Sequence, residues 1–375
     1  MRVGVDVRSL ASSTGRGVSH YTLSLLNQLV GAHSNDEWRL FQTGRRRFAL
    51  PPSLNRPNVK LTHLGYPNKA LNAAWTVQSY PRLERTLGEV DVFFAPNLGF
   101  IRPHRRTPLV TTVHDVSYSL HPHFYSWRER AWHRAVNPRR LLRSSTGVIA
   151  VSEQTKGELR QVYGLPSEKI QVIHSGIDEV YRRPVSEDAI AAARQKYQLP
   201  ASYILFLGAL EPRKNVATLL AAFGQARQTG LASELVLAGE ARPGTVTSGQ
   251  SEGVHRLGYV AEVDKPALYA AAVMLVSVSL HEGFGFPPLE ALACGTPSIV
   301  SDLPVFAETL GGAALRVDPL NTAALAEKLV HLERNRPLRA SLLEQAPAVL
   351  RPLTWQHAAD QTYSVLTNAS QRHAQ

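Results

Sequence analysis

Short apolar runs alternate with longer stretches of helical periodicity along the chain. Short apolar runs bounded by turn residues are typical of strands buried on both faces, and helices between them are typical of parallel sheets. The predicted strands are residues 2–7, 90–95, 109–113, 147–151, 203–207, 234–238, 273–278 and 297–300. The predicted helices include residues 18–30, 215–223 and 289–293. The pattern therefore predicts an α/β protein with doubly wound, Rossmann-like parallel sheets.

The pattern occurs in both halves of the chain, which at 375 residues is long for a single core. A polar, proline-containing stretch follows the apolar run and turn at 172–178. We expect an N-terminal domain of residues 1–178, joined by a C-terminal helix at about 357–375, and a second domain of residues 179–356. Since ligands of such sheets bind beyond the carboxyl ends of the strands, we expect the site in a cleft between the two domains.

The charge is distributed unevenly. The net charge is +11, and residues 1–180 hold 24 basic and 13 acidic side chains, whereas residues 181–375 hold 17 of each. A basic surface attracts an anionic partner, which leaves open a phospholipid surface, a phosphate-bearing substrate and nucleic acid. Residues 127–134 interleave Trp with Arg, a composition that suits an anionic bilayer.

No long apolar segment in the sequence is typical of a signal peptide or a membrane-spanning helix. The single cysteine, Cys294, has no partner for an internal disulfide, which agrees with a reducing compartment. We therefore expect a cytoplasmic protein. Whether it also contacts the inner face of the cell membrane peripherally is left open by the sequence.

Two glutamates, Glu282 and Glu290, bracket a glycine-containing turn between a predicted strand and a predicted helix. The N-terminus of a helix suits phosphate, and glycines let the backbone approach a ligand closely. Carboxylates beside such a site would repel phosphate but accept hydrogen bonds from hydroxyl groups. The combination predicts a pocket for a nucleotide sugar.

The run EGFGFPPLEALACGTPSIVSD at 282–302 resembles the signature of the retaining glycosyltransferases of family four, which have the two-domain GT-B architecture. Glu282 and Glu290 match the spacing of that family's two donor-site glutamates. The resemblance extends over nearly the whole chain, through residues 15–17, 113–115, 150–153, 172–178, 207–215, 257–260 and 304–319.

The resemblance implies a role for each matching residue. Arg213 and Lys214 would neutralise the leaving diphosphate, His114 would contact the transferred sugar, Glu282 would position sugar hydroxyls, and Glu290 would bind the ribose or the sugar. The implied donor-binding set is Gly15, Gly17, Ser175, Gly208, Arg213, Lys214, Tyr259, Val260, Glu282, Gly283, Phe284, Gly285, Phe286, Leu289 and Glu290.

The sequence contains no D-x-D motif and no clustered His and Cys ligand set. We therefore expect no catalytic metal and no cofactor other than the nucleotide-sugar donor. The cations of Arg213 and Lys214 would supply the charge that a metal supplies elsewhere.

The resemblance is strongest to enzymes that transfer mannose or deoxymannose, in residues 110–125 and 211–215. It implies a GDP-sugar donor, namely GDP-mannose, and a glycan or lipid-linked glycan acceptor in cell-surface polysaccharide biosynthesis. A UDP- or dTDP-sugar donor remains open, as does a nucleotide-sugar epimerase of the same architecture. A nucleic-acid-binding protein fits the basic charge but leaves the glutamate motif unexplained.

Overall fold

The computed structural model describes residues 1–11, 16–45, 47–77, 87–101, 107–242 and 252–374. The chain divides into two compact units. The first unit contains Met1–Gly176 and Thr354–Gln375, and the second unit is Ile177–Leu353.

Within the described residues, the first unit has a sheet of seven parallel strands in the order β3-β2-β1-β4-β5-β6-β7. The strands are β1 Arg2–Asp6, β2 Glu37–Thr43, β3 Val59–Leu64, β4 Val92–Ala95, β5 Leu109–Val113, β6 Gly147–Ala150 and β7 Ile170–Val172. Central strands β4 and β5 are buried along their whole length, as expected when helices cover both faces.

The longest helices of the first unit are amphipathic and bury their apolar faces. Helix Arg16–Ala32 buries Tyr21, Leu25 and Leu29 at four-residue spacing and packs against the C-terminal helix Trp355–Ala374. The described helices of this unit are Arg16–Ala32, Asn68–Val77, Ser117–Leu120, Trp127–Val136, Pro138–Ser144, Glu153–Tyr163 and Trp355–Ala374.

The second unit repeats the plan with a six-stranded parallel sheet, in the order β10-β9-β8-β11-β12-β13 among the described residues. The strands are β8 Tyr203–Leu207, β9 Glu234–Ala238, β10 Val254–Gly258, β11 Met274–Ser277, β12 Ser298–Ser301 and β13 Ala314–Val317. The helices are Glu179–Arg182, Glu187–Tyr197, Val216–Gln228, Lys265–Ala270, Phe286–Ala293, Pro304–Leu310, Thr322–Arg334, Arg336–Glu344 and Ala346–Leu350.

The predicted fold class of two doubly wound parallel sheets is confirmed. In each sheet the strand order reverses at one point, between β1 and β4 in the first unit and between β8 and β11 in the second. Loops leaving the carboxyl ends of the two strands at such a point diverge to opposite faces and leave a crevice where ligands bind. The loops that follow β8 and β11 are therefore the first place to look for a site in the second unit.

Some predicted elements needed correction. The helix predicted at 18–30 begins at Arg16, and those predicted at 215–223 and 289–293 are Val216–Gln228 and Phe286–Ala293. Five strands were missed, and four of them lie at sheet edges. An edge strand is covered on fewer sides and tolerates charged residues, so its sequence lacks a continuous apolar run. The missed strands are β2, β3, β7, β10 and β13.

Candidate functional site

The loops after β8 and β9 pack closely at their first residue. Gly208 follows β8 and Gly239 follows β9, and both adopt positive φ angles, 155° and 144°. A Cβ atom on Gly239 would lie 1.8 Å from the carbonyl oxygen of Gly208, so only glycine fits there. The loop that begins with this close contact contains Arg213 and Lys214.

Arg213 and Lys214 lie on a single 3₁₀ turn, Pro212–Lys214, which ends where Asn215 adopts a left-handed conformation with φ of 55°. The backbone carbonyl of Arg213 accepts a hydrogen bond of 2.8 Å from the N–H of Leu280, in the loop after β11. The side chain of Asn215 donates to the carbonyl of Pro319 at 2.7 Å. These bonds fix both basic residues at the switch point of the sheet.

Glu282 is buried at 7% exposure and is the hub of a charged cluster. Its Oε1 accepts hydrogen bonds from Lys214 Nζ and, at 2.7 Å, from the Ser279 hydroxyl. Its Oε2 accepts from Arg213 Nη1 at 3.1 Å, and the same nitrogen donates to the carbonyl of His281 at 2.9 Å. The structure therefore brings together three residues that the sequence assigned to one site.

Burial alone would raise the pKa of the Glu282 carboxyl. The charges of Lys214 and Arg213, together with the hydrogen bonds from Lys214 and Ser279, outweigh burial and lower this pKa to about 2. Glu282 is therefore ionised across the physiological range and pairs with both cations.

A second buried carboxylate, Glu211, belongs to the same cluster, although the sequence analysis assigned it no role. Its Oε1 accepts from Arg213 Nη2 at 2.8 Å and from Arg213 Nε at 3.2 Å, while its Oε2 lies 3.1 Å from Arg242 Nε. Arg213 is thus held between Glu211 and Glu282. The only sequence signal was the position of Glu211, two residues before a cation that follows a strand.

Glu290 lies on helix Phe286–Ala293 and is buried at 6% exposure. Its Oε2 accepts a hydrogen bond of 2.6 Å from the hydroxyl of Tyr269. The helix starts after Gly285, whose φ is 88° and where a Cβ atom would lie 2.5 Å from the ring of Phe306. Glycine is therefore required at this turn.

The same helix differs from the expected anion site in one respect. Its first turn contains Pro287 and Pro288, which have no N–H groups, so fewer backbone donors are available there than the sequence reasoning assumed. In this region Phe284 and Leu289 are buried, and the rings of Phe284 and Phe286 meet edge to face at 5.1 Å between centroids.

In the first unit, His114 follows β5 directly. Its Nε2 lies 2.9 Å from the carbonyl oxygen of Pro96, and the ring of Tyr21 meets it edge to face at 4.6 Å. Burial lowers the pKa of His114 below its ordinary value, although the Pro96 carbonyl and Asp115 oppose this shift. Because a carbonyl can only accept, Nε2 carries the proton, and in the neutral ring Nδ1 is the acceptor.

The remaining predicted residues fall into two groups. In the first unit, Gly17 lies in the first turn of helix Arg16–Ala32, Gly15 falls outside the described residues, and Ser175 is buried with no hydrogen-bond partner for its hydroxyl among the described residues. In the second unit, Tyr259 follows β10 and is 47% exposed, whereas Val260 is buried. None of these positions adds a charge to either site.

In the described ranges, no three His, Cys, Asp or Glu side chains are grouped so that they would hold a metal ion. Within the same ranges, every helix is too short or too polar to cross a lipid bilayer.

Comparisons with known proteins agree with this arrangement. A family model described as Glycosyltransferase Family 4 matches residues 15–180, and one described as Glycosyl transferases group 1 matches residues 201–335. O-antigen chain mannosyltransferase B of Escherichia coli is 27% identical and covers 92% of this chain and 94% of its own length. O-antigen chain mannosyltransferase RfbU of Salmonella typhimurium is 27% identical over 69% of this chain and 70% of its own.

Solved structures show the same architecture. The crystal structure of Anabaena HepE in complex with UDP and glucose has a TM-score of 0.72 at 21% identity and covers 98% of this chain and 100% of its own. The fold and the paired family models define a glycosyltransferase of the GT-B class. The chain belongs to the family-four glycosyltransferases and resembles the mannosyltransferases among them.

Proposed function

We propose that this enzyme transfers mannose or a deoxymannose from a GDP-sugar, with retention of configuration, onto a glycan or lipid-linked glycan acceptor in cell-surface polysaccharide synthesis. The observation that carries the proposal is the Arg213, Lys214 and Glu282 cluster at the switch point of the second sheet. The choice of sugar rests on relatives that are O-antigen chain mannosyltransferases.

Arg213 and Lys214 would bind the donor diphosphate. Both cations are paired with Glu282, so they are already oriented and need little reorganisation to bind a diphosphate. The diphosphate replaces part of this pairing, and Glu282 then accepts hydrogen bonds from sugar hydroxyls. Glu290 binds the ribose or the sugar. The two cations stabilise the leaving group without a metal ion.

Retention follows from substitution on one face of the sugar. The bond between the anomeric carbon and the diphosphate oxygen breaks, the acceptor oxygen bonds to the same carbon, and its proton passes to the departing diphosphate. Most of the rate gain comes from stabilising the charge that develops on that diphosphate.

In the first unit, His114 acts as a neutral hydrogen-bond acceptor for a hydroxyl of the transferred sugar. The bond from Nε2 to the Pro96 carbonyl fixes Nδ1 as the accepting nitrogen. The backbone N–H of Gly17, in the first turn of its helix, donates to the donor phosphate.

Thermal-shift measurements with GDP, UDP and dTDP test the donor. GDP should raise the melting temperature most, because at equal concentration the ligand that binds more tightly stabilises the folded state more. A larger shift with UDP or dTDP would replace the donor but keep the function. If none of the three shifts the melting temperature, the proposed function is wrong. Product analysis with the sugar nucleotide alone separates a transferase, which needs an acceptor, from an epimerase.

Helix Trp127–Val136 supports peripheral contact with an anionic membrane. Trp127 is 67% exposed, Trp132 is 41% exposed, and the guanidinium of Arg128 lies 5.4 Å from the Trp127 ring. Exposed tryptophan beside arginine suits the interface of an anionic bilayer. Flotation with phosphatidylglycerol vesicles at low salt should recover the wild type, and Trp127→Ala with Trp132→Ala should weaken recovery. Equal recovery of both proteins contradicts this contact.

A further inference from the structure

Glu290 has a buried partner that the function above does not use. Tyr269 lies on helix Lys265–Ala270 and is fully buried, and its hydroxyl donates to Glu290 Oε2 at 2.6 Å. The hydroxyl of Thr296 donates to the backbone carbonyl of Tyr269 at 2.6 Å. The phenol is therefore fixed at its backbone and at its hydroxyl, and it cannot turn away from the carboxylate without breaking a short bond.

The chemistry of the pair makes Tyr269 a permanent donor. Burial, and after it the charge of Glu290, raises the pKa of Tyr269 well above its ordinary value, so the hydroxyl keeps its proton. A hydrogen bond from a neutral donor to a carboxylate in a buried setting is short and strong. It occupies Oε2 and holds the carboxylate of Glu290 in one orientation.

A tyrosine at this buried position needs a hydrogen-bond partner that an apolar residue would not need. A phenylalanine would fill nearly the same space and would require no polar partner in the core. Glu290 is the one carboxylate on its helix, and its neighbours Leu289, Ala291 and Leu292 are also buried. A buried hydroxyl aimed at that carboxylate implies that its orientation matters.

We propose that Tyr269 is the positioning residue that aims the Glu290 carboxylate at the ribose hydroxyls of the donor nucleotide. This inference rests on the proposed function and extends it to discrimination between ribose and 2′-deoxyribose. A carboxylate held in one orientation binds a ligand that presents the 2′-hydroxyl more tightly than a ligand that lacks it. A carboxylate free to turn discriminates less.

The test measures dissociation constants of GDP and 2′-deoxy-GDP by calorimetry, with UDP and 2′-deoxy-UDP in parallel. If the 2′-hydroxyl donates to the charged Glu290 carboxylate, the wild type should bind the ribonucleotide roughly tenfold or more tightly than the deoxyribonucleotide. Tyr269→Phe should reduce this ratio to about threefold or less. In turnover assays it should raise KM for the donor more than it lowers kcat, since the ribose is remote from the bond that breaks.

Tyr203 provides a matched control. It is equally buried, and its hydroxyl donates to the carbonyl of Leu268, the residue before Tyr269 in the chain, at 2.7 Å. Tyr203→Phe removes the same atom from an equally buried side chain, so it should cost similar stability. It should leave the ribose to deoxyribose ratio unchanged.

Glu290→Asp keeps the charge but withdraws the carboxylate from the Tyr269 hydroxyl by one methylene. It should lose the ratio as Tyr269→Phe does, and it tests the inference even if Tyr269→Phe does not fold. A wild-type ratio in Tyr269→Phe or in Glu290→Asp overturns the inference. If the wild type binds no nucleoside diphosphate, the proposed function fails; if it binds one without discrimination, only this inference fails.

Discussion

The two units hold their candidate site residues in different ways. In the second unit, Arg213 and Lys214 are paired with the buried carboxylate of Glu282. In the first unit, His114 is held by a backbone carbonyl and an aromatic ring, and its lowered pKa keeps it neutral. Yet the first half of the sequence carries the whole excess of positive charge, and the second half is balanced. Net charge therefore does not locate the charged site, whereas local pairing does.

This difference has a physical reason. Buried charges are stable when they are paired and hydrogen-bonded, so cations kept ready for an anionic ligand need carboxylates beside them. Exposed arginines need no such partner, because water solvates them. In the balanced half, Arg213 and Lys214 are mostly buried beside carboxylates, whereas Arg128 and Arg130 of the basic half are exposed.

The largest expected effect comes from a substitution that removes Lys214 from the charged cluster of the second unit. Lys214→Ala should lower kcat by roughly a hundredfold to a thousandfold, because one preorganised cation at the leaving group is removed. Lys196→Ala is the matched control, since Lys196 also forms an ion pair, with Asp264 at 2.6 Å, but is 57% exposed. Exposed pairs contribute little, so this control should keep wild-type turnover and stability.

Steady-state kinetics with the donor identified by thermal shift, and circular dichroism of each variant, decide the matter. Wild-type turnover in a folded Lys214→Ala protein would remove Lys214 from the catalytic machinery. A loss of equal size in Lys196→Ala would show that ion pairs of this unit act through stability rather than catalysis.

A smaller effect concerns stability against pH. The pKa of Glu282 is about 2, below its ordinary value of 4.5, so Glu282 stabilises the fold fully above pH 4.5 and loses that contribution as the pH falls toward 2. Between pH 5 and pH 3, the wild type should lose about 2 kcal/mol more free energy of unfolding than Glu282→Gln.

Urea unfolding at stepped pH measures this difference. The exposed Glu327 supplies a control, and Glu327→Gln should follow the wild type across the range. Parallel curves for the wild type and Glu282→Gln would contradict a strongly paired Glu282.

The sequence predicted most of the fold but less of the candidate site. Strands β8 and β9 stood out because central strands of parallel sheets are continuous apolar runs. The edge strands β10 and β13 carry Arg256 and Arg316, which broke that signal.

The sequence assigned Arg213, Lys214 and Glu282 to one candidate site, but it did not predict that they pair with one another. Sequence reasoning directed Arg213 toward phosphate and Glu282 toward hydroxyls, whereas the structure pairs them directly across 69 positions of the chain. The position of Glu211 in the sequence did not distinguish it from other acidic residues. The pairing depends on which loops the sheet order brings together, and a linear pattern does not contain that order.

The smallest predicted effect comes from a substitution of Gly17, whose N–H is proposed to bind the donor phosphate. Apart from its chain neighbours and the backbone of its own helix, no described atom lies within 4 Å of a Cβ placed on Gly17. Its helix would favour alanine, so Gly17→Ala should raise the free energy of unfolding by about 0.5 kcal/mol. Gly285→Ala should instead destabilise by about 2 kcal/mol, because its φ is positive and Phe306 occupies the space. If Gly17 is there to let a phosphate approach its N–H, Gly17→Ala should be more stable and yet have a higher KM for the donor. A stabilised variant with an unchanged KM would confine phosphate binding to the charged cluster of the second unit.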